Sequence, residues 1–431
     1  MSAGAVSTID ATMLPARTTA SVLAAPRTTA VAQDLAEPVR DIIEQVRNGG
    51  ESALRELAGR HDGLPSGLPL LLDGAALRES VETLSGDRRA LLERVATRIR
   101  NFATAQRDAV RPLVMHGDGA RIGHTVEPIE VAGCYAPGGR HPLPSSVLMT
   151  AVTARAAGVE RVIVASPSRD PLMVAAAGIA GADAYLNVGG AHAIAALAHG
   201  VVAPRCGVIV GPGNRWVTEA KRQLVGTVGI DMLAGPSELL VIADETADAA
   251  TVADDLLAQA EHDVDAAAWL VTTDAPLADR VRAAVAERLA TLAEASRTVA
   301  SEALRNGGII VCATLDEAIT VADAIAPEHL EIMTRDAARI ADRIRNAGGV
   351  FIGQRSAEVL GDYGIGPNHT LPTGGTARFS AGLSVMHFLR LRTFVEVIDG
   401  TESDSMIADA AALARLEGLE AHACAAEVRR R

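Results

Sequence analysis

Gln259 and His262 stand three residues apart in Ala258-Gln259-Ala260-Glu261-His262-Asp263. On a helix that spacing puts both on one side, so an amide oxygen and an imidazole nitrogen could reach one metal ion. The alternative is a border position of the apolar stripe whose polar group finds a protein partner. Glu328 and His329 are adjacent in Ala326-Pro327-Glu328-His329-Leu330. Pro327 suits a first helical turn, and imidazole takes protons near neutral pH, so the pair could divide base duties or simply form an exposed turn. Asp362 and His369 lie in residues 361–369, a loop with three glycines and a proline, where Asp362 could ligate metal and His369 could cap or bind. Glu417 and His422 stand in the final helix, a solvated end unless the tail reaches a site elsewhere.

Two glycine-rich turns could meet a ligand through backbone N–H groups. One follows Cys134-Tyr135-Ala136-Pro137 and runs through Gly138-Gly139-Arg140-His141 to Ser145 and an apolar helix. The other, Gly211-Pro212-Gly213-Asn214, lies between an apolar strand and a helix, at the carboxyl edge where open α/β sheets bind ligands. Asn214 could cap that helix or meet a ribose or an amide. Neither turn is the GxGxxG dinucleotide fingerprint. Ser237, in Gly235-Pro236-Ser237-Glu238, shapes a turn before another apolar strand.

The elements that must position these residues follow from periodicity. Residues 38–60 read as helix broken at Asn48-Gly49-Gly50, and 86–108 as one helix with Leu91, Val95, Ile99 and Phe102 on its apolar face. Short β-branched runs at 161–166, 207–210, 239–243, 269–272, 308–312 and 349–352 alternate with Ala-rich helical stretches. They are apolar throughout, as strands covered on both faces should be. The expected fold class is α/β, with two Rossmann-like parallel-sheet domains, N-terminal helices and a small C-terminal helical tail. The expected division is a flexible N-terminus at 1–30, a first α/β domain from 31–130 and 239–385, a second from 131–238, and a tail at 386–431.

Bulk composition bounds the function. A chain of 431 residues exceeds one ordinary core, so more than one domain is expected. A net charge of −13 with no basic run argues against nucleic acid. No apolar run reaches the ~18 residues of a membrane helix. Four scattered cysteines read as reduced, buried thiols of a cytoplasmic protein.

The segments taken together resemble the histidinol dehydrogenase family. The stretches that carry the resemblance are CYAPGGRHPLPSSVLM, GPGNRWVTEAKR, VGIDMLAGPSELLVIAD, AQAEHD, APEHLEI, GDYGIGPNHTLPTGGTARFSAGLSV and EGLEAH, spread over residues 38–425. The resemblance implies zinc held by Gln259, His262, Asp362 and His422, the last supplied by the other subunit of a homodimer. It implies a catalytic pair, Glu328 and His329, and substrate contacts from Ser237, Glu417, His329 and the zinc ligands. It implies NAD touching Tyr135, His192 and Asn214, and L-histidinol oxidised by way of the aldehyde to L-histidine. His192 departs from the family's usual glutamine, and residues 102–103 and His141 are also unusual. An imidazole gives fewer simultaneous hydrogen bonds than an amide, which bears on cofactor affinity. Competing readings are a related dehydrogenase of another small polar alcohol and, from another class, a zinc hydrolase.

Overall fold

The computed structural model describes residues 13–24, 33–117, 119–138, 142–398 and 401–430. Its strands are β1 Ala16–Arg17, β2 Leu71–Asp73, β3 Leu113–Gly117, β4 Ala120–Pro128, β5 Val131–Tyr135, β6 Arg161–Ala165, β7 Ala184–Leu186 and β8 Val208–Val210. They continue with β9 Gly229–Ile230, β10 Glu238–Ala243, β11 Ala267–Thr272, β12 Gly308–Val311, β13 His329–Met333, β14 Gly349–Ile352 and β15 Leu389–Val397.

Two six-stranded sheets carry the fold. One runs β2-β7-β6-β5-β8-β9, parallel except where β2 meets β7, and the other runs β1-β12-β11-β10-β13-β14, parallel throughout. The six apolar runs each form a strand within a residue or two of their expected limits. Helices cover both faces of each sheet, so the strands are apolar on both sides. The sheets are joined once in mid-chain, where residues 231–237 cross from β9 to β10.

Several expectations change. The helices of 31–130 pack on the 131–238 sheet, not on the 239–385 sheet. Val39, Ile43 and Leu57 share a core with Ile163 and Leu186, and Leu77, Leu92 and Ile99 share one with Leu148 and Val162. The pairing of β2 with β7 anchors them there. The other sheet is already covered by helices Ala249–Ala260, Ala275–Leu289 and Leu315–Ile325. Within the stretch expected to be flexible, Leu14 is buried and β1 pairs with β12. The tail is not purely helical, because β15 pairs antiparallel with β4 in a small sheet with β3.

Helix Ala36–His61 breaks at the expected glycines, where Gly50 takes φ +58°. Helix Gly86–Ala109 has its apolar face displaced from the one expected. Leu92, Ala96, Ile99 and Ala103 are buried, whereas Leu91 is 53% and Phe102 39% exposed. Small alanines on the true face weaken its hydrophobic signal, and the larger Leu91 and Phe102 draw the stripe away. Leu92→Ala is therefore expected to lower stability by about 2–5 kcal/mol, and Leu91→Ala by no more than about 0.5 kcal/mol, in urea melts of the two variants.

Candidate active site

The site forms at the amino ends of β10 and β13. Helix Leu315–Ile325 ends at Ala326 in a left-handed conformation, φ +48°, and the chain enters β13 through Pro327 and Glu328. Gly348 N–H bonds Pro327 O, and a side chain at Gly348 would lie 2.6 Å from Glu328 O, so glycine is required beside Glu328 and His329. The expected helix N-terminus at Pro327 is thus a strand entry. The strand carries His329 and Glu331, with Glu328 at its entry, all buried, and that polarity hides it from an apolar-run search.

Glu328 is buried and accepts two hydrogen bonds on Oε2, from Ser237 Oγ at 2.6 Å and from Glu238 N–H at 3.0 Å. Burial pushes its carboxyl well above the ordinary range, against the pull of those bonds. His329 is also buried, and burial pushes its imidazole down to about 4. Nδ1 lies 3.3 Å from Glu238 O. A proton on Nδ1 donated to that carbonyl leaves the lone pair of Nε2 as the acceptor. Nε2 in turn faces Asp362 Oδ1 at 3.8 Å.

Gln259 lies in the last turn of helix Ala249–Ala260 and is fully buried. Its Oε1 is 3.5 Å from Ser237 Oγ, and its Nε2 meets no acceptor among the described residues. His262 falls just past the helix end rather than within it. Asp362 closes the short helix Glu358–Asp362, not an irregular loop, and its Oδ2 lies 3.7 Å from His262 Nε2. His262, Glu358 and Asp362 each bring a ligand atom within 4.8 Å of the others.

Glu358 escaped the sequence reading. It is buried, its Oε1 lies 3.3 Å from His329 Nδ1, and its carboxyl is also pushed up, by burial and then by Asp362. Its spacing of four from Asp362, one helical turn, was the available signal. Glu328, Glu358 and Asp362 therefore converge with imidazoles as their only ion-pair partners among the described residues. A divalent cation fits this surplus of oxygen donors, and the unsatisfied Gln259 amide fits beside it. His369 caps the turn through Nδ1 to Asp362 O at 2.9 Å, and its Nε2 lies 3.4 Å from Ser146 Oγ. A cavity of about 570 Å³ opens here, lined by His329, Asp362, His369, Phe351, Leu371 and Phe102. It has the size of a small-molecule site.

A second group of residues gathers at the carboxyl edge of the other sheet. Tyr135 ends β5, and its hydroxyl accepts from Gly190 N–H at 3.1 Å. His192 Nε2 lies 2.9 Å from Asp62 Oδ2, which also accepts from Gly189 N–H at 3.0 Å. Asp62 was not expected in this role. Asn214 caps helix Arg215–Leu224 through Oδ1, the plainer of its two readings. Gly139, Arg140 and His141 lie outside the described residues. The two groups are connected by Asn368, whose side chain donates to Met149 O at 2.8 Å, and by the Ser146–His369 contact.

Glu417 and His422 are exposed, and among the described residues neither side chain makes a hydrogen bond or ion pair. Three cysteines are buried as expected, but Cys424 is exposed. Burial drives the Cys134 thiol far up, which removes it as a nucleophile.

Fold and site together define a two-sheet α/β enzyme with a buried glutamate–histidine pair beside a cluster of cation donors. The family model described as histidinol dehydrogenase matches residues 25–430. The chain is 45% identical to histidinol dehydrogenase of Thermus thermophilus over 398 residues, covering 91% of this chain and 94% of that one. It is 44% identical to that of Aromatoleum aromaticum, over 91% and 90% of the two chains. The crystal structure of histidinol dehydrogenase from Elizabethkingia anophelis superposes with a TM-score of 0.89 at 31% identity, covering 97% of this chain and 98% of the other. The chain belongs to the histidinol dehydrogenase family.

The raised carboxyls fix the sign of a pH effect. Glu328 and Glu358 bind protons more tightly folded than unfolded, so metal-free protein loses their contribution as pH rises through and above the ordinary carboxylate range. A cation that displaces those protons binds more tightly as pH rises, by about 1.4 kcal/mol per pH unit for each proton released. The gap in Tm between zinc-supplied and chelator-stripped protein should widen from about pH 5 to about pH 8. A gap that stays constant would show that no cation sits among these carboxylates.

Proposed function

We propose that this chain is a cytoplasmic, zinc-dependent histidinol dehydrogenase that oxidises L-histidinol through L-histidinal to L-histidine with two molecules of NAD. The observation that carries the proposal is the buried Ser237–Glu328–His329 arrangement opening onto the donor cluster of Gln259, His262 and Asp362.

Gln259, His262, Asp362 and His422 of the partner subunit would hold the zinc. When bound, zinc supplies a template that takes the imidazole and amine nitrogens of the substrate and fixes its alcohol carbon. Tyr135, His192 and Asn214 would hold NAD, which would supply the hydride acceptor for each oxidation. His329 takes the hydroxyl proton on Nε2, because Nδ1 is committed to Glu238 O. Glu328 takes a proton from the water that adds to the aldehyde carbon. Its raised carboxyl makes it a better base than an exposed glutamate, provided the pH is high enough to ionise it. His329 gives its proton to the former carbonyl oxygen as the hydrate forms, which frees Nε2 to remove the hydrate's proton in the second oxidation. Ser237 Oγ and Glu238 N–H keep Glu328 Oε2 in place during both steps.

The shared site needs a homodimer. Leu413, Leu416 and Leu419 on the tail and Leu391 and Val395 on β15 are exposed, apolar surface that a second copy of the chain could cover. The same tail carries Glu417 and His422 outward, where they would meet the partner's substrate and zinc.

With zinc-loaded protein, histidinol and excess NAD, two NADH are expected per histidinol consumed. One NADH would indicate a simple alcohol dehydrogenase, and none another substrate. His329→Asn should lower NADH formation by about 10²–10⁴-fold, the usual worth of a general base, while zinc content measured by atomic absorption stays the same. Heterodimers of His422→Ala and Gln259→Ala subunits should regain activity that neither homodimer has, since one of their two sites is intact. Heterodimers without activity would place the site within one subunit.

A further inference from the structure

One buried ion pair holds the cofactor-side turn and the crossover to the catalytic sheet together. Lys221 Nζ lies 2.5 Å from Asp231 Oδ1, and both side chains are buried. The pair grips Gly211 from both sides. Lys221 Nζ donates to Gly211 O at 2.8 Å, and Asp231 Oδ2 accepts from Gly211 N–H at 2.8 Å. Asp231 Oδ1 also accepts from Met232 N–H at 2.7 Å.

Gly211 has no freedom to give. Its φ is +112°, and a side chain there would lie 2.0 Å from Tyr135 O. It opens the Gly211–Asn214 turn and lies against the residue whose hydroxyl holds Gly190. Asp231 opens the crossover, which six residues later reaches Ser237 and its bond to Glu328. Between them Thr218, on the same helix as Lys221, donates to Ala234 O at 2.9 Å. The crossover is thus fastened at its start to the cofactor turn and at its end to the catalytic glutamate.

A buried ion pair is a poor source of net stability, because desolvation consumes most of the attraction. Its geometric consequence is large, since it fixes both backbone groups of one glycine. We propose that Lys221 and Asp231 are positioning residues that lock the cofactor turn and the Ser237 crossover in one register, so that the nicotinamide acceptor and His329 meet the same carbon. This rests on the dehydrogenase reading above.

The test combines a variant with a measurement on unaltered protein. Lys221→Met alone strands the Asp231 carboxylate and is expected to lose stability. The double variant Lys221→Met/Asp231→Asn leaves no buried charge unpaired but removes the donor to Gly211 O. It is expected to fold, to bind zinc at the wild-type ratio, and to show a KM for NAD raised about tenfold or more with a lower kcat, as small misplacements of reactants produce. A purely structural role would lower Tm and leave the kinetics per folded site unchanged. Wild-type KM for NAD and wild-type kcat in zinc-loaded double variant would overturn the proposal. Hydrogen exchange on wild-type enzyme gives the second reading and needs no variant. NADH should slow exchange in 211–214 and in 231–237 together, and protection confined to 211–214 would overturn the coupling. Wild-type enzyme that makes no NADH from histidinol would sink the dehydrogenase reading itself, a result distinct from either of these.

Discussion

Everything around the site answers to one carboxylate buried where a strand begins. Glu328 cannot be left ionised in an apolar core without donors, and the fold brings it two, a hydroxyl and a main-chain N–H from the neighbouring strand entry. That requirement places Ser237 and Glu238 opposite Glu328 and aligns the starts of β10 and β13. The alignment then puts Glu238 O within 3.3 Å of His329 Nδ1, an acceptor that favours the proton on Nδ1 and the lone pair on Nε2.

The two sheets contribute opposite edges. Parallel α/β sheets ordinarily use the carboxyl edge, and the Tyr135, Gly189 and Gly211 turns obey that rule. Glu328 and His329 lie at the amino edge of their own sheet. Helix Ala249–Ala260 runs back against the strands, so its end returns to that amino edge and delivers Gln259 and His262 there. One sheet thus offers backbone groups to a ligand, while the other offers titratable side chains. The crossover 231–237 is the mid-chain segment that must satisfy both.

Much of the scaffold was legible because its strands are simple. Apolar β-branched runs such as Leu239–Ala243 declare themselves, and glycines mark their ends. Strand β13 did not, since His329 and Glu331, with Glu328 at its entry, break the apolar pattern. Which sheet the N-terminal helices would cover was equally hidden, because an amphipathic face does not name its partner. Gln259, His262, Glu328, His329 and Asp362 were found by residue type and spacing, and their assignment as one site came from the family resemblance. Glu358 offered only its spacing of four from Asp362, and Asp62 offered nothing, because its partner His192 lies 130 residues along the chain and only folding brings the two together.

That last pair bears on how a substitution in this family should be judged. An imidazole at 192 has one strong donor to place when neutral, and here it is placed on Asp62. Asp62 ends helix Ala36–His61, where the helix dipole disfavours a negative charge, so the carboxylate needs compensation. It receives it from His192 and from Gly189 N–H. His192 is thus tied by Asp62 to the same glycine turn whose next N–H is held by the Tyr135 hydroxyl. A glutamine at 192 alone would offer Asp62 an amide donor of different reach and direction, whereas a change at both positions could restore the contact. The effect of His192 on this turn therefore depends on Asp62 as much as on the imidazole itself.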